Sequence, residues 1–299
     1  MSRGIEPQSG ATGNYQVRSH FHAPPAIFDG CFTTFYQLDL DVDGSGTVTD
    51  YLPPDWTSVG FFAGASPWAA IPGEEPISGI KVGVTGATTL PTQFRLGSTR
   101  VWAVGFMPLG WARFFDGNAA DYANRIYDAE KHDPFAKFLP LAEVLCDQSV
   151  PTSQQYDAIV EHMELLARPG RDDETIVRIH RALVDEGLGS VAEFAERAGI
   201  GLRTLERLCC RYFGFTPKTL MRRQRFMRSL SKFMLHRGST WSGVMDDHYH
   251  DQAQFTREFR QFMTMNPSEY AALPHPFLDS FFEARARMHG SPAQTLDQP

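Results

Sequence analysis

The sequence has little of what marks membrane, secreted or metal-dependent proteins. No run approaches about 18 apolar residues, so no membrane-spanning helix is expected. The first twenty residues, MSRGIEPQSGATGNYQVRSH, lack the apolar core of a secretory signal and read as a disordered terminus. Only four cysteines occur (Cys31, Cys146, Cys209, Cys210), without a CxxC pair or other ligand spacing, which suits a reducing cytoplasm. No GxSxG, HExxH, P-loop or GxGxxG stands in its proper context, and no nucleophile–base pair can be argued. Neither an enzyme nor a cofactor is therefore expected.

What is present is ordinary soluble composition, 42% hydrophobic and 21% charged over 299 residues. This length favours two domains. The net charge of −7 hides an asymmetry. Residues 1–167 carry 9 Lys/Arg against 19 Asp/Glu, and residues 168–275 carry 17 against 13. The window 197–237 holds eleven basic residues, including Arg203, Arg207, Arg222, Arg223, Arg225, Arg228 and Arg237, against the single acid Glu206. One half of the chain is thus suited to a polyanion, although a solvated helix face has the same composition.

The N-terminal half reads as short strands bounded by Pro and Gly. TTFYQLDLDV (33–42) alternates with period two, and 59–64, 79–87 and 99–107 are further strand candidates. Residues 110–129 and 133–147 read as helices with apolar residues three and four apart. The stretch DLDVDGSGTVTD (39–50) places Asp39, Asp41, Asp43 and Asp50 much as a calcium loop does. Its eighth position is Gly46, though, and the flanking pattern is that of strands. A β-hairpin turning at 43–46 is the better expectation, with Asp39 and Asp41 on a solvent face.

An amphipathic helix at 151–166 is suited to packing on its own domain or on a second subunit. Arg168-Pro169-Gly170 stops it, and 168–173 reads as a linker. From 174 onward helix-start chemistry recurs. Ser190 with Glu193 is a capping box, Thr216-Pro217 opens a long helix, Asp251 with Gln254 resembles a second box, and Asn266-Pro267 starts a last short helix. Short helix, tight turn and helix occur twice, at 191–213 and 241–263. Leu205, Leu208, Phe213, Phe255, Phe259 and Tyr270 are expected in the core.

The runs RTLERLCCRYFGFTPKTLMRRQRF and DQAQFTREFRQFMTMNPSEY, in this order, closely resemble the DNA-binding domain of AraC-type (AraC/XylS) transcription regulators over residues 175–273. The resemblance implies two helix-turn-helix units reading successive major grooves of double-stranded DNA, with Arg203, Thr204, Glu206 and Arg207 facing DNA in the first. Gln252, Ala253, Thr256 and Arg257 face it in the second. Arginine suits guanine and glutamine adenine, each worth about 1–3 kcal/mol of discrimination. Glu206 suits a cytosine amino group, or equally a pair with Arg203 or Arg207. Arg222, Arg223, Arg225 and Arg228 are expected as phosphate contacts or solvated charge. The chain departs from the family pattern at Gly201, at His248 (where a left-handed residue is expected), and at Asp246 and Asp247 within a short helix.

More loosely, GVTGATTLPTQFRLGSTRVWAVGFMPLGWARFF resembles the β-rich sensor modules that precede such domains. The implied architecture is α+β: a barrel-like regulatory domain closed by helices (21–167), a linker (168–173), the all-α double helix-turn-helix domain (174–275) with its long joining helix, and a flexible tail (276–299). It further implies regulation or dimerisation, with Phe61, Trp102, Phe106 and Trp111 as candidates for a small apolar effector, or simply as core. RNA polymerase is the further partner such a regulator would meet. Against this stand an enzyme built on the β-rich half, for which turnover by residues 1–167 would speak, and an interaction protein with a decayed DNA domain. His248, His250 and Asp251 could bind zinc but read better as a polar turn. The vicinal Cys209 and Cys210 point about 100° apart on a helix, so one is expected inside.

Overall fold

The computed structural model describes residues 10–236 and 239–299. In chain order the strands are β1 (Gly10–Thr12), β2 (Tyr15–His22), β3 (Phe32–Val42), β4 (Thr47–Leu52), β5 (Thr57–Gly64), β6 (Trp68–Ala70), β7 (Ile77–Ser78), β8 (Val82–Thr85), β9 (Thr92–Leu96), β10 (Thr99–Phe106) and β11 (Ile126–Asp128). They form two antiparallel sheets, one ordered β11-β8-β5-β10-β3-β2 and the other β1-β4-β9-β6-β7. The sheets face each other without closing into a barrel.

Side chains alternate across each strand, so the larger sheet has two different faces. Val59, Phe61, Trp102, Val104 and Phe106 lie in one apolar cluster, under α1 (Pro108–Phe114), α2 (Leu139–Leu145) and α3 (Thr152–Leu166). Leu38, Leu40, Val42 and Val101 belong to a second cluster with Phe94 and Leu96 of the facing sheet. The first cluster continues into α4 (Asp173–Val184), α5 (Val191–Ala198) and α6 (Leu202–Leu208). The second continues into α7 (Pro217–Leu235), α8 (Trp241–Val244), α9 (Gln252–Met263), α10 (Pro267–Ala272) and α11 (Leu278–His289). Each face of the larger sheet is thus continuous with one half of the helical domain.

Several expectations change. Residues 10–12 and 15–22 are strands rather than disordered terminus, β2 pairing with β3 along its length; residues 1–9 lie outside the described residues. Residues 110–129 hold one two-turn helix and then, after a 3-10 turn, the short strand β11, because Gly117 at φ 92 and Asn124 at φ 56 break the run. The chain does turn at 43–46, with the Gly46 N–H donating to the Asp43 carbonyl at 3.0 Å. β3 and β4 do not pair as a hairpin, however, since β3 pairs with β2 and β10 and β4 with β1 and β9. The turn carries the chain from one sheet to the other.

The four aspartates of that stretch do not converge on one point. Asp39 pairs with Arg100 at 2.7 Å, Asp41 with Arg18 at 2.8 Å, and Asp43 accepts from Asn14 at 3.0 Å. Asp50 is fully buried and accepts from the backbone of Phe277 and Leu278. The segment 276–299 is no loose tail. It forms α11 and packs on the β-rich domain, where Phe281 sits 5.2 Å from Phe21 and 5.3 Å from Tyr36 between ring centroids. Its apolar run FLDSFF supplies the burial that orders it. The linker is tethered too, through an Arg113–Asp173 ion pair at 2.9 Å and an Arg168 N–H bond to the Arg113 carbonyl.

Candidate nucleic-acid interface

The first helix-turn-helix unit is built by local rules. The Ser190 hydroxyl accepts from the Glu193 N–H at 3.1 Å. The Glu193 carboxylate reaches back to the Gly189 N–H at 3.0 Å, one residue earlier than a strict box. Gly199 ends α5 at φ 67, a left-handed turn that glycine adopts without strain. Leu205 and Leu208 of α6 are buried, and this places Arg203, Glu206 and Arg207 outward and Thr204 half-buried. Together with Cys210 these four line one open groove. Cys209 is buried and Cys210 half-exposed, as adjacent helical positions require. Glycine at 201 suffices as the N-cap of α6.

In the second unit the Asp251 carboxylate accepts from the Gln254 N–H at 2.6 Å, and the Gln254 side chain accepts from the His250 N–H at 3.0 Å. Phe255, Phe259 and Phe262 are buried, leaving Gln252, Ala253 and Arg257 exposed and Thr256 half-buried on the outer face of α9. α8 is a single turn ending at Val244, so Asp246 and Asp247 lie beyond it and not inside a helix. His248 is not left-handed. Its N–H and Nδ1 both bond Asp246 at 3.0 Å, and this side-chain bracket takes the place of a glycine turn.

The arginines of α7 fall into different roles. Arg222 pairs with Glu258 at 2.8 Å, and Arg225 binds the same carboxylate at 2.5 Å while lying 4.5 Å over the Tyr249 ring. Arg228 pairs with buried Asp246. Burial works to raise the Asp246 carboxyl, yet the Arg228 guanidinium and the His248 bonds hold it below the usual carboxylate range. Arg237 lies outside the described residues. Among those described, Arg203, Glu206, Arg207 and Arg257 have no ion-pair partner, so the intrahelical pairing open to Glu206 is not made. Between the units runs a groove of about 800 Å³ lined by Ser190, Lys218, Arg222, Arg225, Arg228 and Arg257, among others.

Arg223 is not available to a phosphate. It is fully buried, its Nη1 donating to the carbonyls of Asp55 at 3.2 Å and Thr88 at 3.1 Å, and its guanidinium lies 3.9 Å from the Trp56 ring centroid. Desolvation lowers it to about 9, against the attraction of Asp55. Around it, Trp56 meets the edges of His180 and Phe213 at 5.5 and 5.9 Å. The β4–β5 loop and the helical domain thus share one core, in which His180 is neutral, pushed down to about 3 by burial and then by Arg223. Nothing in the run MRRQRF distinguishes this arginine from its neighbours except position. Residue 223 falls three after Leu220 and four before Met227, on the buried stripe.

The four aromatics named for an effector are packed inside the protein. Phe61, Trp102, Phe106 and Trp111 fill the core beneath the helices. Trp102 donates to Gln155 of α3 at 2.7 Å, and Trp111 stacks on Phe115 at 4.6 Å. A cavity of about 110 Å³ lies instead between the sheets, lined by their strand neighbours Gly60, Phe62, Val101 and Ala103, with Leu38, Phe94 and others. One step along a strand reverses the face.

Residues 194–272 match the family model for a helix-turn-helix domain. No curated protein sequence matches the chain. Among solved structures, ToxT from Vibrio cholerae O395 is similar at 11% identity and a TM-score of 0.40, covering 86% of this chain and 96% of its own. An unsaturated fatty acid-bound ToxT from V. cholerae strain SCE256 gives 11% and 0.41, covering 88% and 97%. The AraC-like transcriptional activator CuxR gives 13% and 0.27, covering 71% and 86%. Residues 194–272 thus carry a helix-turn-helix domain, and a β-rich domain precedes it in the chain.

Proposed function

We propose that the protein is a sequence-specific regulator that reads two successive major grooves with α6 and α9 under control of its N-terminal domain. The observation that carries this reading is selective occupancy of the basic residues. Arg222, Arg225 and Arg228 of α7 are paired within the protein, whereas Arg203, Arg207 and Arg257, on the outer faces of α6 and α9, have no ion-pair partner among the described residues. Base edges are read by Arg203, Thr204, Glu206 and Arg207 in one groove and by Gln252, Ala253, Thr256 and Arg257 in the next. Lys218 in the intervening groove meets backbone phosphate, and Arg222, held by Glu258, does not. The protein works in the cytoplasm without catalysing a reaction, and RNA polymerase and a second copy of the chain are its further partners.

The effector is a small apolar molecule held between the sheets, against Leu38, Phe62, Phe94 and Val101, and not among the aromatics under the helices. Selection from random duplexes identifies the site. On it Arg207→Ala and Arg257→Ala each cost about 1–3 kcal/mol and relax specificity in one groove only. If both variants bind as wild type does, the contact assignment fails.

A further inference from the structure

The cavity between the sheets has a neighbour of about 50 Å³ with which it shares Tyr36, Leu52, Ser58, Thr85 and Thr92. One wall of this pair belongs to neither sheet. Phe277 lines the first hollow, and Leu278, Phe281, Phe282 and Gln294 line the second, so the C-terminal segment closes the space. It is fastened at both ends. At its start the buried Asp50 carboxylate of β4 accepts from the Phe277 and Leu278 N–H groups at 3.0 Å each and meets His275 Nδ1 at 3.0 Å. A carboxylate on the first N–H groups of a helix satisfies donors that would otherwise be orphaned.

At the other end the Thr295 carbonyl accepts from Gln224 Nε2 of α7 at 2.6 Å, and Gln294 touches Thr33 of β3. Fully buried Arg285 bonds the Ser291 carbonyl at 2.6 Å and pairs with Asp297, folding the end back along α11. Only residues 273–277 separate α11 from α10, the last helix of the second unit. His275 Nε2 also meets the Tyr270 carbonyl of that helix at 3.1 Å.

We propose that residues 275–299 form a strap coupling the inter-sheet cavity to the second helix-turn-helix unit. Lifting Phe281 from Phe21 and Tyr36 loosens α10 and the grip of Gln224 on α7. The inference rests on the regulatory reading above only for its effect on DNA. Phe281→Ala in the full chain changes affinity for the selected duplex on the order of fivefold or more. It also speeds amide hydrogen exchange in α10. Ile80→Ala, which enlarges the first hollow outside the C-terminal segment, leaves both within about twofold.

Should Phe281→Ala not fold, Thr33→Val cuts the far fastening at constant shape and shows the same direction of change. An unchanged Phe281→Ala, or an Ile80→Ala that shifts α10 as much, overturns the strap. Where wild type selects no duplex at all, the regulatory reading fails, and exchange in α10 alone still decides the strap.

Discussion

The two helix-turn-helix units are built from different materials. The first is apolar throughout its interior: Phe194, Leu205, Leu208 and Phe213 are fully buried, and its turn is a glycine. The second has aromatic rings and ion pairs side by side. Phe255 and Phe259 pack against the Trp241 ring, while Asp246 pairs with Arg228 and Glu258 is shared by Arg222 and Arg225. Its helix α8 is one turn long, and α9 ends on a threonine at φ 58. The first unit is held by burial, which is indifferent to partners. The second is held by pairs that fail when either member is lost, because a buried charge left alone costs more than the pair contributed.

The largest test of this contrast is Asp246→Ala. It leaves the Arg228 guanidinium buried without its partner and two His248 bonds unmade, and costs about 3–5 kcal/mol. Chemical denaturation followed by Trp241 fluorescence reads the loss in the second unit. A loss below about 1 kcal/mol would make that pair equivalent to a surface bridge and erase the contrast.

Next comes pH, which acts on the core shared by the β-rich domain and the first unit. His180 is neutral when folded, while the unfolded chain takes up a proton below about 6.5. Stability therefore falls as pH drops from 6.5 towards about 3, by roughly 1.4 kcal/mol per unit. Asp55 has the opposite sign. Desolvation raises its carboxyl to about 7, so the folded chain keeps a proton that the unfolded chain gives up near 3.8. Stability then falls as pH rises through that window. His180→Phe removes the acid loss, and Asp55→Asn leaves His180 alone to shape the profile. Melting curves between pH 4 and 8 distinguish them, and superimposable profiles for all three proteins would refute this account of the junction.

Smaller effects separate the units at their caps. Ser190→Ala removes the acceptor for the Glu193 N–H and costs about 1 kcal/mol in the first unit. Thr264→Gly relieves the left-handed threonine and raises stability of the second by about 1 kcal/mol. Opposite signs in thermal melts are the expected result.

Much of the helical domain was legible because its signals are local. Ser190, Thr216, Asp251 and Asn266 all cap the helices they were expected to start, and the stripe Leu220, Met227, Leu230 and Met234 is buried as its spacing requires. The β-rich domain was legible as strands but not as a pairing. Both faces of the large sheet are covered, so β5 reads VGFFAG with apolar residues on each side, and alternation cannot say that Phe62 and not Phe61 meets the cavity. Arg223 shows the same limit in reverse, since charge argued for the surface and only the approach of Trp56 and two carbonyls makes burial tolerable. The strap was missed because 276–299 is amphipathic without a partner in sight. Its partner, Asp50, stands some 225 residues earlier.

What the residues alone determined is what depends on neighbours a few positions away: helix starts and stops, the doubled helix-turn-helix, the outward faces of α6 and α9, and the split of charge between the halves. The tertiary structure decided which sheet each strand joins, which arginines are free, where the cavity lies and what closes it. Those outcomes depend on contacts between distant segments. Whether a charge or an apolar face ends up buried is set by what arrives opposite it, and a linear pattern does not contain that partner.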